Sequence, residues 1–68
     1  MWIIESDSYA LNDETDEEIY IQFDYGLFFV MHDGEEIESF YSASAAAKFL
    51  EDYVTELNAQ DAGTEVKK

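Results

Sequence analysis

Residues 19–41, IYIQFDYGLFFVMHDGEEIESFY, decide the fold. Ile19, Ile21 and Phe23 alternate with Tyr20, Gln22 and Asp24, which is the period of a strand with one buried face. Residues 27–32 (LFFVMH) form a short apolar run of strand formers, and residues 36–41 read as the return strand. Tyr25-Gly26 and Asp33-Gly34 separate these segments, and the Asp-Gly pair supplies the positive φ angles of a type I′ hairpin turn. Two-residue turns at both places set the register: Phe23 opposite Phe28, Ile21 opposite Val30, Ile19 opposite His32, and Val30 opposite Ile37.

That register sorts the side chains into two faces. One collects Ile19, Ile21, Phe23, Phe28, Val30 and Ile37, a core for another element to cover. The other collects Tyr20, Gln22, Asp24, Leu27, Phe29, Met31, Glu36, Glu38 and Phe40. Its apolar members, bordered by carboxylates, make an exposed patch of the kind that marks an interface. The competing readings are that Trp2, Tyr9 or Leu11 folds back over the patch, or that a one-residue slip exchanges the faces.

Beyond Ser42 the period changes from two to helical. Ala46, Phe49, Leu50, Tyr53, Val54 and Leu57 recur at three-and-four spacing, with Lys48, Glu51, Asp52, Thr55 and Glu56 on the other side. Ser42 or Ser44 can cap the start by accepting a bond from an orphan backbone N–H. The helix is predicted over about residues 44–58, with residues 59–68 a flexible tail. Toward the N-terminus, residues 2–4 read as a short strand and residues 5–18 (ESDSYALNDETDEE) as an acid-rich loop. The predicted fold is therefore α+β, one domain over residues 1–58: an antiparallel sheet of three to four strands packed on one face by a single C-terminal helix.

Charge is the second strong signal. The chain of 68 residues carries 17 Asp and Glu against 3 Lys and no Arg, a formal charge of −14. Residues 1–47 hold 12 of the acids and no Lys or Arg. A hydrophobic fraction of 47% with five Phe, five Tyr and one Trp is too high for a solvated acidic tail. At this length a chain makes one small domain that buries roughly 60% of its unfolded surface, so a deep two-lobed cleft is not expected. No stretch nears the roughly 18 apolar residues of a membrane span, and the first residues lack a signal-peptide pattern. A cytoplasmic protein is expected, with no membrane and no direct nucleic-acid binding, because both ligands carry the same sign of charge.

Little in the chain points to chemistry. There is no Cys and a single His, so a zinc site has no ligand set. The acidic stretch does not match an EF-hand loop, lacking the Gly at its sharp turn. His32 reads as a turn-adjacent, hydrogen-bonded imidazole, Ser42 and Ser44 as caps rather than nucleophiles, and the isolated glycines form no phosphate loop. No enzyme activity, cofactor or metal is expected.

The expected function is binding. Alternate side chains on a strand stand about 6.6 Å apart, so Glu36 and Glu38 are expected as a spaced anionic pair, with Asp24 on the same face. Asp13, Glu14, Asp16, Glu17 and Glu18 add charge from the loop, and Glu51, Asp52 and Glu56 from the helix. Such an array can imitate a run of phosphates and occupy the Lys and Arg clusters of a nucleic-acid-binding protein. Tyr20, Phe29 and Phe40 would supply contact area within it. In length and charge alone the chain resembles small acidic inhibitors of DNA- or RNA-handling enzymes, many of them phage-encoded, which implies an anti-defence or host-takeover role. The alternative is a non-enzymatic regulatory or adaptor protein that binds a partner, or a second copy as a homodimer, through the outer sheet face. Its acidity would then serve solubility or a high-salt organism.

Overall fold

The computed structural model describes residues 1–66, with side chains through residue 60. Five antiparallel strands follow one another across a single sheet in the order of the chain. They are β1 (Trp2–Ser6), β2 (Tyr9–Asn12), β3 (Glu18–Asp24), β4 (Leu27–His32) and β5 (Glu35–Phe40), and one helix, α1 (Ala43–Val66), packs across one face. The architecture is the expected α+β, with one strand more than the upper expectation.

The extra strand lies in the segment read as a loop. Within residues 5–18, Glu5 and Ser6 end β1, Tyr9–Asn12 is β2, and Glu18 opens β3, leaving 7–8 and 13–17 as connections. Acid-rich neighbours hid a four-residue strand whose second residue, Ala10, is completely buried. Ala10 stands between Ile4 and Ile19, and Leu11 between Ile3 and Glu18.

The two hairpins of residues 19–41 differ in how well they keep register. Between β3 and β4 the partners are Ile19 with His32, Ile21 with Val30 and Phe23 with Phe28, as the two-residue turn demands. Tyr25, Gly26, Asp33 and Gly34 all have positive φ, the signature of type I′ turns. Between β4 and β5, however, a bulge intervenes, so Val30 faces Glu38 rather than Ile37. One extra residue reverses the alternation beyond it. Phe40 therefore faces Phe28 on the helix side, where its ring lies 5.5 Å from that of Phe49.

The core sits between sheet and helix: Trp2, Ala10, Ile19 and Val30 from the strands meet Ala46, Leu50 and Val54 from the helix. Ser42 caps α1, its Oγ accepting from the Ala45 N–H at 3.3 Å. Asn58, expected as the helix end, lies inside α1 and clamps the edge strand. Its Oδ1 accepts from the Trp2 N–H at 2.9 Å, and its Nδ2 donates to the Trp2 carbonyl at 3.1 Å. Of the predicted tail, residues 59–66 continue the helix to Val66, and Lys67 and Lys68 lie outside the described residues. No helix among the described residues is long and apolar enough to cross a membrane.

Candidate functional site

The meander brings the 13–17 connection and the β4–β5 turn to one end of the sheet, because β2 and β4 finish where β3 and β5 begin. A backbone bond from the Asp33 N–H to the Glu18 carbonyl, 2.6 Å, joins them. Asp13, Glu14, Asp16, Glu17, Glu18, Asp33, Glu35 and Glu36 gather there as a result. Among the described residues the cations facing this end are the Met1 ammonium, 2.8 Å from Asp13 and 3.4 Å from Glu14, and His32 when protonated. The hydrogen bond to Asp13 holds that ammonium above its ordinary value.

The acidic connection is a built structure rather than a loose coil. Asn12 Oδ1 accepts from the N–H groups of Glu14 (2.8 Å) and Thr15 (3.1 Å), and Thr15 Oγ1 accepts from that of Glu17 at 3.2 Å. Main-chain bonds from Asn12 N–H to the Glu17 carbonyl and from Asp16 N–H to the Asn12 carbonyl, both 2.9 Å, close the loop. This is the local side-chain capping that Asn and Thr favour in turns. His32 ties the loop to the helix: Nε2 lies 3.1 Å from Glu17 Oε1 and Nδ1 lies 2.9 Å from the Tyr53 hydroxyl. One neutral tautomer satisfies both, with Nε2–H donating to Glu17 and Nδ1 accepting from Tyr53 O–H. Trp2 meets the imidazole edge-on at 5.4 Å. The expected hydrogen-bonded imidazole is thus present, with Tyr53 and Glu17 as partners. No group of His, Asp and Glu among the described residues is arranged to hold a metal ion.

The face of the sheet away from the helix is left uncovered. Its rows run Ile3–Leu11–Glu18, Tyr9–Tyr20–Met31–Glu36, Gln22–Phe29–Ser39 and Asp24–Leu27. Tyr9, Leu11, Tyr20, Leu27, Phe29 and Met31 are half-buried against one another, and Ile3 is exposed. Tyr9 and Leu11 enlarge the patch instead of folding over it, and Trp2 is buried on the helix side. The Tyr9 hydroxyl donates to Glu18 Oε2 at 3.0 Å, which holds the phenol above its ordinary value because ionisation would face a carboxylate.

The structure divides the expected site residues into three groups. Asp13, Glu14, Asp16, Glu17, Glu18 and Glu36 share the acidic end, and Tyr20 and Phe29 lie on the uncovered face leading to it. Asp24 stands at the opposite end, beside the β3–β4 turn. Glu38 and Phe40 leave the outer face, because the bulge puts them in the rows of Val30 and Phe28. The expected Glu36–Glu38 pair on one face is therefore not formed. Asp33 and Glu35 join the acidic end although neither was among the expected site residues; the placing of Asp33 as the first residue of the Asp-Gly turn, with Glu35 directly after it, was the available signal. Comparison with family models, curated proteins and solved structures gives no match.

Proposed function

We propose that the protein is an acidic inhibitor that occupies the basic, nucleic-acid-binding surface of a larger protein, with its acidic end as the charged contact and the uncovered sheet face beside it as the apolar one. The observation carrying this reading is the gathering of eight carboxylates, Asp13, Glu14, Asp16, Glu17, Glu18, Asp33, Glu35 and Glu36, at one end of the sheet by two hydrogen-bonded connections. Held charge of one sign raises the encounter rate with a surface of the other sign and fixes register. Ordering the loop before binding also removes part of the entropy cost of association. Tyr20, Phe29 and Met31, adjacent to Glu18 and Glu36, supply desolvated contact area where charge alone would give weak affinity.

The test is a pull-down of tagged protein from a lysate of the host, with bound proteins released by a salt step or by added DNA or RNA and identified by mass spectrometry. One nucleic-acid-handling protein released by both supports the reading; a partner that ignores competing nucleic acid, or no partner, rejects it. Phe29→Ala, made on the uncovered face, is expected to weaken capture roughly tenfold or more while shifting Tm by only a few degrees. A large fall in Tm with capture retained would instead assign Phe29 to folding.

A further inference from the structure

Of the eight carboxylates at the acidic end, seven are exposed and one, Glu17, is half-buried. It turns inward, its Oε1 3.1 Å from His32 Nε2. The imidazole it meets is 23% exposed and is held from two other sides. Trp2 lies edge-on to it, and the Tyr53 ring stands 5.7 Å away at 78°, with its hydroxyl on Nδ1 at 2.9 Å. Tyr53 in turn stacks on Phe49, one turn earlier in α1, at 5.7 Å and 15°. Phe49, Tyr53, His32 and Glu17 thus form a series from the helix to the acidic connection, each member fixing the orientation of the next.

The connection has no comparable packing of its own against the helix. Asn12 and Thr15 bond its N–H groups and so set its internal shape, but a groove of about 380 Å³ opens between Glu14 and Thr15 on one side and Leu57, Asn58 and Gln60 on the other. What joins the connection to β4 and, through Tyr53, to α1 is Glu17.

We propose, on the basis of the inhibitor reading above, that Glu17 anchors the acidic connection rather than contacting the target, and that His32 and Tyr53 are positioning residues that hold it through a single imidazole tautomer. With Nδ1 accepting from the Tyr53 hydroxyl, the ring proton stays on Nε2, aimed at Glu17. Without that hydroxyl the proton can occupy either nitrogen, and the Nδ1–H form turns a lone pair toward the carboxylate. Side chains locked by packing and by a further layer of hydrogen bonds keep a contact surface in its productive geometry, and a surface ordered in the free protein loses less entropy on association. The seven exposed carboxylates are then the ones presented to a partner.

Tyr53→Phe tests this, since it keeps the net charge, the ring stack on Phe49 and every exposed carboxylate. Two-bond ¹H–¹⁵N spectra of the free protein, recorded at about pH 8, above the usual imidazole range, should show one Nε2–H tautomer in the parent and a mixture in the variant. Amide exchange at Glu14, Thr15 and Glu17 should quicken about fivefold, the effect of one net hydrogen bond, with β3–β4 amides unchanged and Tm within a few degrees. Glu17→Gln retains an acceptor for Nε2–H, so its loop should exchange at the parent rate and its target association should slow no more than in Asp16→Asn. Glu17→Ala should exchange as Tyr53→Phe does and weaken capture about fivefold beyond Glu17→Gln. A ring proton on Nδ1 in the parent, or parent-like exchange in both Tyr53→Phe and Glu17→Ala, overturns the proposal. So does a Glu17→Gln variant that loses as much association as Glu17→Ala, which would make Glu17 a contact carboxylate. Faster exchange throughout the sheet with a large fall in Tm also overturns it, by assigning the hydroxyl to folding. Failure to capture a nucleic-acid-handling target bears on the inhibitor reading alone, because the imidazole and exchange measurements are made on the free protein.

Discussion

Asp16→Asn/Asp33→Asn/Glu35→Gln/Glu36→Gln is expected to slow association with the target at low salt by on the order of a hundredfold, and to flatten the dependence of the rate on ionic strength. The four positions were chosen on structural grounds. None makes a side-chain bond that holds the acidic loop or the His32 bridge, and Asp16 and Asp33 have φ of 67° and 54°, where Asn is at least as well accommodated as Asp. Neutralisation also removes like-charge repulsion, so the folded state should be as stable as the parent or more so. Stopped-flow association at several salt concentrations, alongside a thermal melt, gives both readouts. If the rate and its salt dependence match those of the parent, the acidic end is a solvated surface and the contact lies elsewhere. Glu38→Gln serves as the internal comparison, since the bulge at Ile37 sets Glu38 in the row of Val30; its effect on the rate should be small.

Leu50→Ala is expected to remove most of the stability of the domain. A chain of this length has roughly 3–10 kcal/mol in total, and deleting a fully buried Leu costs about 2–5 kcal/mol through lost transfer energy and the cavity left behind. Leu50 is 1% exposed and packs in the cluster with Ala10, Ile19, Val30 and Val54. The sheet is covered on this face by a single helix, so no second layer can collapse into the gap. Urea denaturation should show the midpoint fall by about half or more, with a Tm lower by roughly 10 °C or more. The adjacent exposed position, Glu51→Ala, should move stability by less than ~0.5 kcal/mol. A Leu50→Ala loss below ~1 kcal/mol would mean that the helix is not what closes the core.

How much of this was legible in the chain can be followed residue by residue. Ile19, Ile21 and Phe23 alternate cleanly, and the Tyr25-Gly26 turn admits one register, so the β3–β4 pairing followed from local rules. The helical recurrence of Ala46, Leu50 and Val54 located the cover in the same way. β2 escaped because Tyr9, Ala10, Leu11 and Asn12 are too few, and too mixed, to show a period between acid-rich neighbours. Phe23 was read as core and is exposed, because sequence periodicity says which face a residue takes but not how far the covering helix reaches along it.

The acidic end shows the same division. Composition determined that this is a strongly anionic, aromatic-rich chain, and the order of its residues that it is an α+β domain, because charge is a sum over residues and period a local spacing, and neither needs coordinates. The β3–β4 register already sets Glu18 beside Asp33, but only the tertiary structure showed that β2 returns residues 13–17 to the same end, because that strand is too short to announce itself. Only the structure moved Glu38 and Phe40 off the outer face, since a bulge is selected by how β5 packs on β4 and α1, and one inserted residue inverts every side chain after it.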